Sequence, residues 1–204
     1  MLRSRRILPF ISRNGSLNIK GLGKLPPKSR LVKVMHPGYE TLMTWHLAPE
    51  AFDTADATSL RRDYYGEVAS RYWKRPATSE EIDQGLADDG AELLTPPTGQ
   101  FVVGRCSGEA AACGGLLMLN SERAELTRVY LRPAFRGKKG ASLLLELLES
   151  EARLLGASHM VLNTRLDLVE ARSLYVRHGY REIPAYCTGP YVDICYGKDL
   201  GQAD

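Results

Sequence analysis

The sequence of 204 residues lacks several features that would place it in a specialised class. It has four cysteines, at positions 106, 113, 187 and 195, with no CxxC pair and no histidine at metal-ligand spacing. These cysteines are therefore predicted to be free thiols in a reducing compartment, and no metal site is expected. No apolar run approaches the roughly 20 residues that span a bilayer, so neither a transmembrane segment nor a membrane partner is expected.

Acidic residues are absent from the first 33 positions, which carry nine lysines and arginines. The whole chain has a net charge of +3, so the remaining positions hold 18 basic and 24 acidic side chains, a net charge of −6. Residues 1–34 are predicted to form a basic, flexible leader, and residues 35–204 a single domain. The leader has three interpretations: a transit peptide, an arm that touches nucleic acid, or a segment without a function of its own. In the third case it is either a disordered leader or the result of assigning the start of translation upstream of Met35.

Hydrophobic periodicity and turn residues predict a mixed α/β domain with a largely antiparallel central sheet flanked by helices. One strand–helix–strand crossover is expected in its middle, where Leu143, Leu144, Leu147, Leu148, Ala152 and Leu155 form a helical stripe that Gly156 ends. A capping box is expected at Thr78 or Ser79. The predicted strands are 41–48, 100–106, 110–119, 124–131, 159–164, 180–186 and 191–198, and the predicted helices are 53–73, 78–88, 138–155 and 167–179.

The stretch "RGKKGASLLLELLE", residues 136–149, places three cations and two glycines at the start of a predicted helix. A helix N-terminus has unpaired N–H groups and a partial positive charge, so it binds anions readily. Glycines at 137 and 140 would let the backbone approach a ligand closely. Taken alone, the stretch has two interpretations: a phosphate cradle or a solvated basic turn. It matches neither a P-loop nor a dinucleotide-binding fingerprint.

Three pieces in order give this stretch a context: "AELTRVYLRPAFRGKKGASLLLELLE", then "HMVLNT", then "EARSLYVRHGY". Together they resemble the GNAT superfamily of N-acetyltransferases, with motif-specific similarity across residues 124–186. The resemblance implies an acyl-CoA N-acyltransferase fold. It also implies transfer of an acetyl group from acetyl-CoA to an amine, without a metal or a covalent intermediate.

The resemblance also assigns cofactor contacts. The loop that holds the coenzyme A pyrophosphate would be Arg136, Gly137, Lys138, Lys139, Gly140, Ala141 and Ser142. The strand end that pairs with the pantetheine arm would be Val129, Tyr130 and Leu131, and its edge would supply an N–H that polarises the thioester carbonyl. Asn163, at the end of the next strand, is a further candidate contact to pantetheine or substrate.

Two residues are candidates for proton transfer. Tyr175 matches the tyrosine that is often placed to protonate the departing thiolate in this family, although a core residue on an amphipathic helix would show the same pattern. Glu125 is the candidate base for the ammonium proton, because it shares a strand face with Thr127 and Val129. The alternative for Glu125 is an exposed strand-end carboxylate facing Arg123 or Arg128, with water as the base. The aromatic segment 70–76 is interpreted as part of an acceptor-side wall.

The chain departs from the family pattern at Lys139, where a glycine is usual. An extra cation could contact a phosphate there, or the loop could bind the cofactor poorly.

Taken together, the sequence predicts a cytoplasmic acetyltransferase acting on a small-molecule amine. The net charge of −6 on the residues after position 33 would suit a cationic amine acceptor. Acetylation of a protein N-terminus or lysine is one alternative, and a catalytically silent module that binds coenzyme A or a partner is another. Nucleic acid is not an expected partner, whereas the resemblance makes a homodimer an expectation.

Overall fold

The computed structural model describes residues 28–36 and 39–201, with side chains from Met43 onward. Within these residues, eight strands form one sheet in the order β1-β2-β3-β4-β5-β6-β8-β7. Only β5 and β6 pair in parallel, and the other neighbouring pairs are antiparallel. The elements are β1 (Lys28–His36), β2 (Tyr39–Pro49), α1 (Ala55–Trp73), α2 (Ser79–Ala87), β3 (Gly99–Cys106), β4 (Glu109–Met118), β5 (Arg123–Leu131), α3 (Gly140–Leu154), β6 (His159–Thr164), α4 (Val169–Arg177), β7 (Arg181–Ile183) and β8 (Ile194–Asp199).

The predicted α/β class and the crossover are confirmed, because α3 joins the parallel strands β5 and β6. All six residues of the predicted α3 stripe are buried, each at most 9% exposed, and they pack with α4 residues against one face of the sheet. Helix α1 covers the other face through Ala57 and Leu60, which are fully buried. The sheet is therefore covered on both faces, and the two halves of the core lie on opposite sides of it.

The helix starts follow from local chemistry. The Thr54 hydroxyl accepts a hydrogen bond from the Ala57 N–H and caps α1. Thr78 and Glu81 form the predicted capping box at the start of α2, in which each side chain accepts from the other residue's backbone N–H.

The structure differs from the sequence-based elements at both ends of the chain. Strand β1 was not predicted and crosses the expected boundary between leader and domain, whereas residues 1–27 of the leader lie outside the described residues. The last two strands are shorter than predicted, and residues 184–193 form a loop between them. Pro184 has no N–H to donate to a sheet ladder, so β7 stops directly before it. Among the described residues, no helix combines the length and apolar character that a membrane crossing requires.

Candidate functional site: a cleft between two separating strands

A cleft of about 1340 Å³ opens where β5 and β6 separate. The parallel ladder between these strands pairs Arg123 with His159, Ala124 with Met160 and Glu125 with Val161, and it stops there. On the side facing β6, the second half of β5 therefore borders the cleft, while its other side stays paired with β4. Helix α1, the start of α3, helix α4 and the loop 184–193 form the other walls.

A β-bulge shapes the β5 wall. The pairing with β4 shifts between Cys113, opposite Tyr130, and Gly115, opposite Thr127, so β5 has one extra residue in this interval. Arg128 lies in the interval with a φ of 51°, a left-handed conformation that is uncommon for a residue other than glycine. A bulge of this kind bends the strand and redirects side chains. The predicted contacts Val129, Tyr130 and Leu131 follow it, and all three line the cleft.

The stretch 136–142 forms a turn that leads into α3 at the edge of the cleft. The first helical bond runs from the Leu143 N–H to the Lys139 carbonyl, so the N–H groups of Gly140, Ala141 and Ser142 have no partner within the helix. Arg136 bonds to Glu67 Oε2 at 2.5 Å, and Ser142 Oγ lies 2.9 Å from His178 Nε2. The turn therefore presents N–H donors together with positive charge, which an anion can satisfy.

Lys138 is the one member of this stretch that does not line the cleft. Its carbonyl accepts a hydrogen bond from Trp45 Nε1 at 2.9 Å, and its ammonium lies 5.3 Å from the centre of the Phe135 ring. The Lys138 carbonyl thus helps to fix the turn onto the core. Lys138 belongs to the predicted pyrophosphate loop, but in the structure its ammonium lies over the Phe135 ring and the residue does not line the cleft.

The two glycines of the turn are required for different reasons. Gly137 has a φ of 76° in open space, so the left-handed backbone is what favours glycine there. Gly140 has no such constraint, but a Cβ at this position would overlap the indole ring of Trp45, which is fully buried. The sequence-based reason for Gly140, close approach to a ligand, is therefore incomplete, because tight packing against Trp45 already excludes a side chain.

Lys139 adopts a φ of 61° and a ψ of −1° at the N-cap of α3. This left-handed conformation costs a residue with a Cβ about 1–2 kcal/mol, whereas glycine adopts it freely. The backbone at 139 therefore has the geometry that a glycine would supply, and the lysine side chain is accommodated at an energetic cost.

We expect Lys139→Gly to raise the free energy of unfolding by about 0.5–1 kcal/mol, since the relief of strain exceeds the entropic cost of glycine. Urea denaturation of the two proteins measures this change. Lys138→Gly removes the same charge from a neighbouring position whose φ is not positive. It should lower the stability, so a gain of similar size in both variants would contradict the backbone explanation.

Tyr175 lies on α4 with its side chain buried at 7% exposure and also borders the cleft. Its ring contacts the rings of Tyr180 and Tyr196, with centroid distances of 5.9 and 6.4 Å. Burial raises the pKa of Tyr175 well above that of a free phenol, so the hydroxyl stays protonated across the physiological pH range. The residue is thus a core residue with a protonated hydroxyl, and it also lines the cleft.

Glu125 faces the cleft as part of a cluster with two other side chains. Its Oε1 accepts a hydrogen bond from Asn163 Nδ2 at 2.9 Å and another from the Tyr186 hydroxyl at 2.6 Å. The alternative expectation, an exposed carboxylate facing Arg123 or Arg128, does not describe this arrangement, because Glu125 is half-buried and Arg128 is paired with Asp89. Asn163 therefore contacts the candidate base directly.

Sequence reasoning missed Tyr186, which lies in the loop 184–193. Burial raises the pKa of Tyr186, and the nearby Glu125 carboxylate raises it further. The Tyr186 hydroxyl therefore stays protonated and donates a hydrogen bond to Glu125. A tyrosine beside the predicted end of a strand carries no distinguishing pattern, so the signal was available only from the fold. The aromatic wall was in part predicted, since Tyr72 and Trp73 line the cleft.

Comparison with known proteins bears on this geometry. The profile of the acetyltransferase (GNAT) family matches residues 56–180. The chain is 31% identical over 122 residues to an IAA acetyltransferase of Azospirillum brasilense, covering 55% of this chain and 78% of that one. It is 31% identical over 121 residues to an uncharacterized N-acetyltransferase of Schizosaccharomyces pombe, covering 58% and 74%.

A solved structure supports the fold. The PaiA N-acetyltransferase of Thermoplasma acidophilum, in complex with coenzyme A, matches with a TM-score of 0.57 at 16% identity, covering 75% of this chain and 98% of that one. At this identity the match shows a shared fold.

Proposed function

The chain belongs to the GNAT family of acetyltransferases, and from this premise we propose that it transfers the acetyl group of acetyl-CoA to a primary amine of a small molecule. The observation that carries the proposal is the coincidence of two features in one cleft. The β5–β6 ladder ends after Glu125, and the N-terminus of α3 opens onto the same cleft.

The turn before α3 fits a pyrophosphate. The N–H groups of Gly140, Ala141 and Ser142 lack helical partners, and the left-handed residues Gly137 and Lys139 turn the backbone at the cleft edge. A diphosphate would accept hydrogen bonds from these N–H groups, and the partial positive charge of the helix N-terminus would stabilise its negative charge. The Lys139 ammonium adds formal charge, and the Arg136 guanidinium, whose charge is balanced by Glu67, could donate a further N–H to a phosphate.

The exposed edge of β5 would bind the pantetheine arm. The pairing of β5 with β6 ends at Glu125 and Val161, so beyond this point the amide groups of β5 would hydrogen-bond to the pantetheine amides instead of to β6. An N–H of this edge, directed at the thioester carbonyl, would stabilise the negative charge that develops on that oxygen during attack.

Glu125 and Tyr175 would move protons at the two ends of the reaction. Glu125, or a water that it orients, accepts a proton from the ammonium so that the neutral amine nitrogen can form a bond to the thioester carbon. The carbon–sulfur bond then breaks, and Tyr175 donates its phenolic proton to the departing thiolate. The nitrogen releases its second proton as it becomes an amide, and this proton restores the Tyr175 hydroxyl by way of solvent. Like any phenol whose pKa is not lowered, Tyr175 is protonated at neutral pH, so the proton is present when the thiolate departs. Tyr186 and Asn163 act as positioning residues, because they hold the Glu125 carboxylate.

A small acceptor is favoured by a contact between two walls of the cleft. The ring of Tyr72, near the end of α1, contacts the ring of Tyr191 in the loop 184–193, with centroids 4.8 Å apart. Both residues line the cleft, so this contact joins the α1 wall to the loop 184–193 and would leave less room for a folded protein or an extended peptide. A cytoplasmic location is part of the proposal, since Cys106, Cys113, Cys187 and Cys195 are all free thiols.

The test is release of free thiol from acetyl-CoA in the presence of a panel of small primary amines, with a lysine-containing peptide as a comparison. The proposal expects thiol release with at least one small amine and none above background with the peptide. Binding of acetyl-CoA without release with any amine would reject acetyl transfer and identify a silent module. Release with the peptide alone would reject the small acceptor.

Glu125→Gln is expected to lower kcat by at least about tenfold near neutral pH, because the amine would then depend on water to lose its proton. The deficit should shrink as pH rises, since a growing fraction of the free amine is already unprotonated. A pH series of kcat measures both effects. Glu122→Gln is the matched control, as this carboxylate is exposed just before β5 and does not line the cleft. A constant deficit at all pH values would remove Glu125 as a base.

A further inference from the structure

The wall of the cleft formed by α1 and the bulge of β5 contains a buried group of charges that the proposed chemistry does not use. It consists of Arg61, Asp89 and Arg128, whose side chains are 7%, 2% and 9% exposed. Two guanidinium groups thus share one carboxylate. Among the described residues, no other carboxylate is paired with Arg61 or Arg128, so the group has an excess of one positive charge.

Asp89 has little capacity left for Arg128. Its Oδ2 accepts from Arg61 Nε at 3.1 Å and from Arg61 Nη2 at 2.6 Å, and its Oδ1 accepts from the Ala91 N–H at 2.8 Å. Arg128 Nε lies 3.5 Å from the same Oδ2 and forms no hydrogen bond, although it is buried. One Nη2 hydrogen bond from Arg128 goes to the Asp89 carbonyl. A buried guanidinium N–H without an acceptor is costly, and an anion would relieve that cost.

The bulge is what brings Arg128 to this position. Strict alternation along β5 would place Arg128 on the opposite face from Glu125 and Thr127. The left-handed conformation of Arg128 and the shifted register instead bring its side chain to Asp89, on the α1 side, where it lines the cleft. A residue that retains a strained backbone at a cleft wall is a candidate for a role in binding.

The surroundings of Arg128 describe the rest of such a ligand. The cleft is also lined by three residues with mostly apolar side chains, Tyr65, Leu93 and Leu94. Tyr65 forms a side-chain hydrogen bond with Arg128, and burial raises the pKa of Tyr65, so its hydroxyl remains neutral and does not neutralise the guanidinium. The pocket wall therefore combines one unbalanced cation with apolar contacts.

We propose that Arg128 binds a carboxylate of the acceptor, so that the preferred substrates are amines that also carry a carboxylate on an apolar body. The inference rests on the acetyl-transfer function proposed above. The amine would lie toward Glu125 and the carboxylate toward Arg128, both on β5. The planar guanidinium fork suits a carboxylate, with which it forms strong charge-assisted hydrogen bonds.

The test compares amino acids with their own primary amides, in pairs that differ in the carboxylate alone. The panel runs from glycine to phenylalanine and includes ω-amino acids of three to six carbons. For at least one pair, the wild-type protein should show a kcat/KM about ten- to a hundredfold higher for the acid than for the amide. An α-amide lowers the basicity of the neighbouring amine, so intrinsic reactivity at neutral pH opposes this preference.

Arg128→Met should reduce the ratio of acid to amide to within about threefold of one, mainly by raising KM for the acid. Arg128→Lys keeps the charge and should retain part of the preference, which protects the test if the methionine variant is too unstable. Arg62→Met is the control, because Arg62 is exposed, pairs with Asp83 and does not line the cleft; its ratio should equal that of the wild type.

The outcomes separate this inference from the function on which it rests. A wild-type ratio near one, or a preference that survives in Arg128→Met, would overturn the carboxylate site while acetyl transfer to amines still stands. Thiol release with neither the acids nor the amides, nor with any other amine of the wider panel, would reject acetyl transfer and the carboxylate site together.

Discussion

Tyr175→Phe is expected to lower kcat by about a hundredfold while the Kd for acetyl-CoA stays within about twofold of the wild type. The substitution removes one hydroxyl from a buried ring and leaves its packing against Tyr180 and Tyr196 in place. Without the hydroxyl, the thiolate has to depart unprotonated or take its proton from water. Steady-state kinetics together with calorimetric titration of acetyl-CoA separate these two quantities.

Tyr180→Phe is the matched control for this result. Tyr180 is buried in the same core, but its hydroxyl donates to Met160 Sδ at 2.9 Å and the residue does not line the cleft. Its loss should change the stability with little effect on kcat. Equal losses of kcat in both variants would indicate a structural effect, and an unchanged kcat in Tyr175→Phe would remove Tyr175 from the reaction.

Gly140→Ala is expected to lower the free energy of unfolding by about 3 kcal/mol, because the added methyl group overlaps the Trp45 ring. Trp45 cannot easily move aside, since it is fully buried and its Nε1 donates to the Lys138 carbonyl. The start of α3 would then shift, so affinity for acetyl-CoA should fall as well. Urea denaturation and acetyl-CoA titration measure the two effects.

Two comparisons test the cause of that loss. Gly137→Ala meets no atom within 4 Å and should cost only about 1–2 kcal/mol, from its positive φ. In a Trp45→Phe background, the smaller ring should reduce the penalty of Gly140→Ala, which a double-mutant cycle detects. The same penalty in both backgrounds would contradict the packing explanation.

Much of the fold followed from local signals in the sequence. The α3 stripe has the 3.6-residue period of an amphipathic helix, and the capping box at Thr78 is a short-range motif, so neighbouring residues suffice to find both. Strand β1 was missed because its basic, acid-free composition resembles that of a leader. The early end of β7 at Pro184 could have been anticipated from proline chemistry.

The site was harder to predict because its decisive contacts are long-range. The placement of Glu125 and Asn163 in one cluster depends on the register of β5 and β6, and the role of Tyr186 depends on a loop far along the chain. The bulge that redirects Arg128 arises from the register between β4 and β5, which a single sequence does not specify. Lys139 shows the opposite case. The family pattern indicated that a glycine is usual at this position, and the left-handed backbone of Lys139 in the structure explains that preference.

The most direct test of the account uses acetyl-CoA labelled in the acetyl carbonyl, mixed with the protein and an acceptor amine in a single turnover and followed by mass spectrometry. Direct attack predicts that the label moves to the amine, with one free thiol released for each acetylated product and no label bound covalently to the protein. Thiol release without an acetylated amine, or transfer of the label to the protein before the amine, would contradict it.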